Sequence, residues 1–197
     1  KIRDRFTNPL LLESSDYHSS ENSYSYICFE PLATFSVLAH EITKVFPDGA
    51  VEKHTDQGER EVVHQLSDFI GRFEADNPGF KFLSNGLFGY MGYDAVQYYE
   101  DISVPDKVEH HQGIPEVYYS VFKHVIVIDH FRNELYAFQH TAENEAAIHT
   151  TSLDEIVSLV NNKNFSSYHF NRVGSETSNF SDEDFMKIIQ KGKDHCQ

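Results

Sequence analysis

Several groups of residues in this chain carry side chains that could do chemistry. Leu11-Leu12-Glu13-Ser14 puts a carboxylate and a hydroxyl side by side where an apolar run ends. That placement suits receiving an ammonium and hydrogen-bonding a polar ligand, although a Glu and a Ser at a strand end are equally at home as plain solvated surface. In GLFGYMGYDAVQYYE, Gly86, Gly89 and Gly92 recur at every third position among Phe88, Tyr90, Met91 and Tyr93. A dinucleotide fingerprint needs G-x-G-x-x-G, and a phosphate loop needs a Lys followed by Ser or Thr, so this spacing fits neither. It reads instead as a strand in which glycine admits a neighbouring backbone and the rings fill the volume left open.

The remaining candidates are weaker. Among twelve histidines, His110-His111 is the obvious pair, but adjacent residues on an extended chain point to opposite sides, and no H-x-E-x-H or HExxH spacing occurs. Cys28 and Cys196 stand far apart and offer neither a disulfide framework nor a zinc spacing. Cys28 lies in the apolar run YSYICF and reads as an inert core thiol. No G-x-S-x-G elbow supplies a serine nucleophile.

The elements that must position these residues follow from periodicity. Leu10–Leu12 and Tyr24–Phe29 read as strands, with the polar stretch SSDYHSSENS between them. Thr34–Val45 is rich in strand formers and ends at the Pro47-Asp48-Gly49 turn, so it reads as a strand or a hairpin. Val62, Leu66, Phe69, Ile70 and Phe73 mark one face of a helix spanning Glu59–Asp76, closed by Asn77-Pro78-Gly79. Val117–His140 reads as two strands about the polar FRNE turn. Ser152 and Glu155 form a capping box ahead of one helix, and Ser181 with Asp184 opens a last one bearing Phe185, Ile188 and Ile189. The sum is an α+β fold: a mostly antiparallel sheet with a few helices packed on it.

Composition bounds the function. At 197 residues, with 40% hydrophobic residues, the chain suits one domain, taken here as 1–197, with a sizeable core. Thirty-one acidic against 16 basic residues give a formal charge of −15, with no basic stripe to neutralise phosphates, which argues against nucleic acid and anionic membrane as partners. No apolar run is long enough for a membrane helix, and KIRDRF has no signal-peptide core, so the expected location is the cytoplasm. The sequence ends inside what reads as a helix, so a continuation is expected.

Four segments in order, LLES, YSYICFEPLATF, GLFGYMGYDAVQYYE and PEVYYSVFKHVIVIDH, resemble the amino-terminal region of anthranilate synthase component I, a member of the chorismate-utilising enzymes. The likeness runs along essentially the whole chain, with G-Y-M-G-Y-D as its most specific part. Two departures stand out: Gln97 where the family commonly has Arg, and Cys28-Phe29-Glu30 in place of a Gly-Ala-Asp-like triplet before Pro31.

The resemblance implies that this chain is the amino-terminal part of that enzyme's α/β sandwich, with the glycine-rich segment as scaffold, a strand running into a helix. It implies that LLES forms part of the pocket for tryptophan, the feedback inhibitor. Ser14 would then contact the effector, Glu13 would face its ammonium, and Leu11, Leu12 and Tyr24 would line the indole side. It implies a lyase that uses chorismate and Mg²⁺, with ammonia from a glutaminase partner (component II). The catalytic and Mg²⁺-binding groups would lie in a larger carboxy-terminal portion, so no catalytic or metal residue is assigned here and the chain alone is expected to be inactive. Two alternatives remain: the same region of aminodeoxychorismate synthase component I, and a non-catalytic module that binds an amino acid or another small molecule.

Overall fold

A computed structural model describes residues 2–14, 23–56, 58, 60–76, 78–102, 104, 113–146, 151–162, 171–175 and 177–196. The chain separates into two units, 1–163 and 164–197. The first is built on one antiparallel sheet. Its strands are β1 (Leu10–Leu12), β2 (Tyr24–Leu38), β3 (Glu41–Val45), β4 (Val51–Thr55), β5 (Phe88–Met91), β6 (Val117–Asp129) and β7 (Glu134–Gln139). They run in the order β4-β3-β2-β6-β5, with β1 added to β2 and β7 to β6. The α+β, mostly antiparallel architecture expected from the sequence is the one observed.

The β2–β6 ladder is the spine. The sequence suggested two separate strands, one ending at Phe29 and one beginning at Thr34, whereas β2 runs unbroken through Glu30 and Pro31. The chain passes this point by a bulge. Pro31 pairs with Phe122 and Ala33 with Val121, leaving Leu32 as the extra residue, and Glu30 adopts a left-handed φ of 58°. Pro31 is tolerated because it falls between the β1 pairing at 26–28 and the β3 pairing at 34–38, so its missing N–H breaks no ladder bond on that edge.

Turn chemistry sets the other joins. Ala39 and His40, both at positive φ, make the two-residue turn from β2 to β3, which resolves the Thr34–Val45 stretch as a hairpin. The expected Val117–His140 hairpin is β6 and β7, and the Asp129 carboxylate accepts the N–H groups of Phe131 and Arg132 at 3.0 and 2.9 Å to hold its turn.

Helix α1 (Glu61–Gly71) packs Val62 and Phe69 onto Ala33, Phe35, Val37, Ile42 and Val117. It is shorter than its periodicity suggested. Arg72 and Phe73 bond back only three residues, to Phe69 and Ile70, which closes the helix, while the Arg72 guanidinium reaches Glu52 and stacks on Phe46. Phe73 still meets Phe69, with ring centroids 5.1 Å apart, so the apolar spacing marked a core contact beyond the helix end.

A six-residue 3₁₀ helix, Tyr93–Tyr98, follows β5 and adds Ala95 and Tyr98 to the same core. Helix α2 (Leu153–Asn161) begins at the expected capping box, with the Ser152 hydroxyl accepting the Glu155 N–H and the Glu155 carboxylate accepting the Ser152 N–H. Its Ile156 packs on Phe29 and Ile126. In the second unit, α3 (Asp182–His195) starts at Ser181, whose hydroxyl accepts the Asp184 N–H. Acids in its first turn and Lys193 and His195 in its last complement the helix dipole.

Candidate functional site

The LLES stretch is an edge. β1 pairs Leu10 with Cys28, Leu11 with Ile27 and Leu12 with Tyr26. Residues directly opposite in a ladder share a face, so Leu10 and Leu12 lie on the side of Tyr24, Tyr26 and Cys28, and Leu11 lies on the other. The five residues of the candidate effector pocket therefore do not form one wall. Leu12 and Tyr24 are on a common face, Leu11 is 60% exposed across the sheet from them, and Glu13 is exposed just beyond the strand.

Ser14 has the most definite surroundings of the five. Its N–H donates to the Ser25 hydroxyl at 3.3 Å, its own hydroxyl accepts from Ser23 at 3.3 Å, and Ser25 Oγ lies 2.7 Å from His130 Nε2. The His130 backbone N–H donates to the Ser23 carbonyl at 3.1 Å. Three serines and a histidine thus join the end of β1, the start of β2 and the end of β6 in a polar network able to position a donor or acceptor for a small ligand. Ser23, Ser25 and His130 were not singled out from the sequence. The alternation of Ser23 and Ser25 with Tyr24 and Tyr26 is visible there, but the β2–β6 register that delivers His130 is not.

On the Tyr24 side the sheet carries an aromatic cluster. The Phe82 ring lies 5.4 Å from Tyr24, 4.9 Å from Tyr136 and 5.0 Å from Phe80, which also packs edge-on to Phe138. Phe80 and Leu12 remain partly exposed, so the cluster presents apolar surface beside the β1 edge. Three concavities are lined by other residues. One of about 700 Å³ is lined by Phe46, Arg72 and Thr141 among others, one of about 400 Å³ by Asp56 and Tyr99, and an open one of about 740 Å³ by Arg5, Thr151 and Leu159.

The glycine-rich stretch behaves as architecture. At Gly89, paired with Tyr119, a Cβ would overlap the Tyr118 carbonyl oxygen and come within 2.8 Å of the Tyr119 Cα. Only glycine permits that approach of β5 to β6. Gly86 takes φ +133°, which only glycine adopts readily, as the chain enters β5.

A second polar group, also missed in the sequence, is buried at the β2 bulge. His124 is 1% exposed, stacks on Phe29 with centroids 5.1 Å apart, and places Nε2 3.1 Å from Glu30 Oε2. The Thr151 hydroxyl donates to the other Glu30 oxygen at 3.1 Å, and next to His124 the buried Lys123 ammonium meets Glu145 at 2.6 Å. Burial holds the His124 pKa below the usual imidazole value and Lys123 adds to this, while Glu30 pulls it back up. The sequence signal available was Glu30 itself, an acid inside an apolar strand and one of the two departures noted above.

Burial pushes the Cys28 thiol up to about 12, so it is no nucleophile at neutral pH. His110 and His111 lie outside the described residues. Among the described residues no three His, Cys, Asp or Glu side chains converge to hold a cation, so no residue here is assigned to Mg²⁺. No helix among the described residues is long and apolar enough to cross a membrane.

Comparison with known proteins places this geometry. The profile of the chorismate binding enzyme family matches residues 10–197. The chain belongs to the chorismate binding enzymes. It is 24% identical over 192 residues to anthranilate synthase component 1 of Acetivibrio thermocellus, covering 85% of this chain and 38% of that protein. To the proteins of the same name from Acinetobacter calcoaceticus and Pseudomonas putida it is 27% and 29% identical, covering 74% and 70% of this chain but only 30% and 27% of theirs. Its fold matches the crystal structure of anthranilate synthase component I from Streptococcus pneumoniae TIGR4 with a TM-score of 0.52 at 15% identity, over 98% of this chain and 42% of that one. This family member therefore spans well under half the length of the relatives it matches.

Proposed function

We propose that this chain is the amino-terminal scaffold and tryptophan-sensing part of an anthranilate synthase component I. The observation that carries the reading is that curated relatives from three organisms, each named anthranilate synthase component 1, match across 70–85% of this chain. In this reading the intact protein converts chorismate and ammonia to anthranilate and pyruvate, with water as the balancing product. The chorismate chemistry and any Mg²⁺ site belong to protein outside this chain, and the ammonia is drawn from a glutaminase partner. The part played by this chain is to carry the inhibitor site at the β1 edge.

The geometry around Ser14 supports that assignment. Its hydroxyl accepts from Ser23 and its N–H donates to Ser25, which in turn meets His130, so the residue is oriented before any ligand arrives, which lowers the cost of ordering it on binding. Glu13, exposed beside it, supplies negative charge for an ammonium, and Leu12 and Tyr24 supply apolar surface for a ring.

The test is an assay of the intact protein with chorismate, ammonium and Mg²⁺, following product identity and inhibition by tryptophan. Anthranilate with pyruvate is expected, and aminodeoxychorismate would move the chain to the folate branch. Ser14→Ala is expected to weaken tryptophan inhibition about tenfold, the effect of losing one hydrogen bond to a charged group, while uninhibited turnover is unchanged. Superimposable inhibition curves for the two proteins would remove Ser14 from the site.

A further inference from the structure

The Glu30–His124 pair is buried, has no part in the reading above, and has a specific location. It lies at the only break in the β2–β6 register, where Glu30 is held at φ 58°. A left-handed conformation is strained for a non-glycine residue and persists where the surroundings over-determine it. What surrounds Glu30 comes from three separate segments. His124 Nε2 approaches one carboxylate oxygen from β6, the Thr151 hydroxyl takes the other from the segment entering α2, and Phe29 of β2 stacks on the imidazole. One turn into α2, Ile156 packs on Phe29 and Ile126, so the polar pair and this apolar contact fasten the same helix at adjacent points.

We propose that Glu30 and His124 form a proton-sensitive latch that ties the start of α2 to the β2 bulge and opens on acidification. Among the described residues, the charged groups that face it come from four elements. From β2 there is only Glu30. From β6 there is Lys123, engaged with Glu145 at 2.6 Å. At the end of β7, His140 bonds the Phe122 carbonyl through Nδ1 at 2.8 Å. From α2, Asp154 and Glu155 line the open cleft beside Thr151, together with Arg5. With Lys123 adjacent and the site buried, an added proton on His124 is better accommodated once the imidazole reaches water, so acid favours the open latch. The sign follows from the depressed histidine. The closed state takes the proton less readily than the open one, so latch stability is complete above the ordinary imidazole value and declines as pH falls below it. Each further pH unit multiplies the open population by up to about tenfold until the closed form is protonated too.

The experiment is amide hydrogen exchange on the intact protein between pH 8 and 5, corrected for intrinsic exchange, with the His124 ring followed by NMR in the same samples. The expected result is an α2 protection factor that falls about tenfold from pH 6.5 to 5.5 while β3 and β4 amides hold theirs, with the His124 ring titrating below its ordinary range. In His124→Gln the α2 protection should lose this pH dependence. An equal pH response in His124→Gln, an acid loss spread evenly over all amides, or a His124 ring that titrates in its ordinary range would each overturn the proposal. The ring titration in the unsubstituted protein decides the matter if the variant does not fold.

Discussion

The glycine-rich stretch at Gly86–Gly92 and the LLES stretch at Leu11–Ser14 are both short, both run along a sheet edge and both were picked out by residue type, yet they are held in opposite ways. At Gly89 the identity of the residue is imposed from outside, because the Tyr118 carbonyl occupies the space a side chain would need. Around Leu11 and Glu13 little imposes anything: three ladder pairs hold β1, and its side chains are largely in water. A residue dictated by close packing informs on architecture, whereas an exposed acid beside a positioned hydroxyl at a sheet edge can serve a ligand.

The contrast can be tested by substitution. Gly89→Ala should cost about 3 kcal/mol or more in urea unfolding of the intact protein, since backbone on both sides must move; a cost under 1 kcal/mol would mean that β5 is not pinned as described. Next in size is Phe29→Leu, expected to cost about 1–3 kcal/mol because the ring supports both His124 and Ile156. Ser14→Ala should cost no more than about 1 kcal/mol, the net worth of one neutral hydrogen bond, so its effect on inhibition would not arise from unfolding. Smallest of all, Leu11→Ala should change stability by under about 0.5 kcal/mol.

Cys28 offers a direct view of how loosely the edge is held. It sits under Leu10 in the β1–β2 ladder, fully buried, with its thiol pushed to about 12. Thiol titration should find Cys196 reactive in the native protein and Cys28 slow. If β1 peels away by itself, Cys28 will label faster than the whole protein unfolds, and Leu10→Ala will speed it further. Labelling at the global unfolding rate would instead make β1 part of the cooperative core and weaken the contrast with β5.

How far the sequence could be read depended on the range of the interaction involved. The capping box at Ser152, the hairpin around Arg132 and the strand identity of Tyr24–Phe29 depend on neighbours within a few residues and on period-two or helical spacing, so they were legible. The helix end at Gly71 was not, because it is set by Arg72 reaching Glu52 on β4, 20 residues away. Nor was the continuity of β2 through Pro31, since whether a proline is tolerated depends on which strand edge it faces.

The same division holds for the sites. By itself the sequence determined that this is an acidic, sheet-rich member of the chorismate binding enzymes, with an acid and a hydroxyl ending its first apolar run, because order of motifs and local periodicity survive without any knowledge of contacts. Tertiary structure alone decided that Leu12 shares a face with Tyr24 and Tyr26, that Ser14 joins Ser23, Ser25 and His130, and that Glu30 meets His124. Those outcomes turn on strand register, and a register is a long-range choice: a slip of one residue between β2 and β6 would reverse every face without altering any local preference.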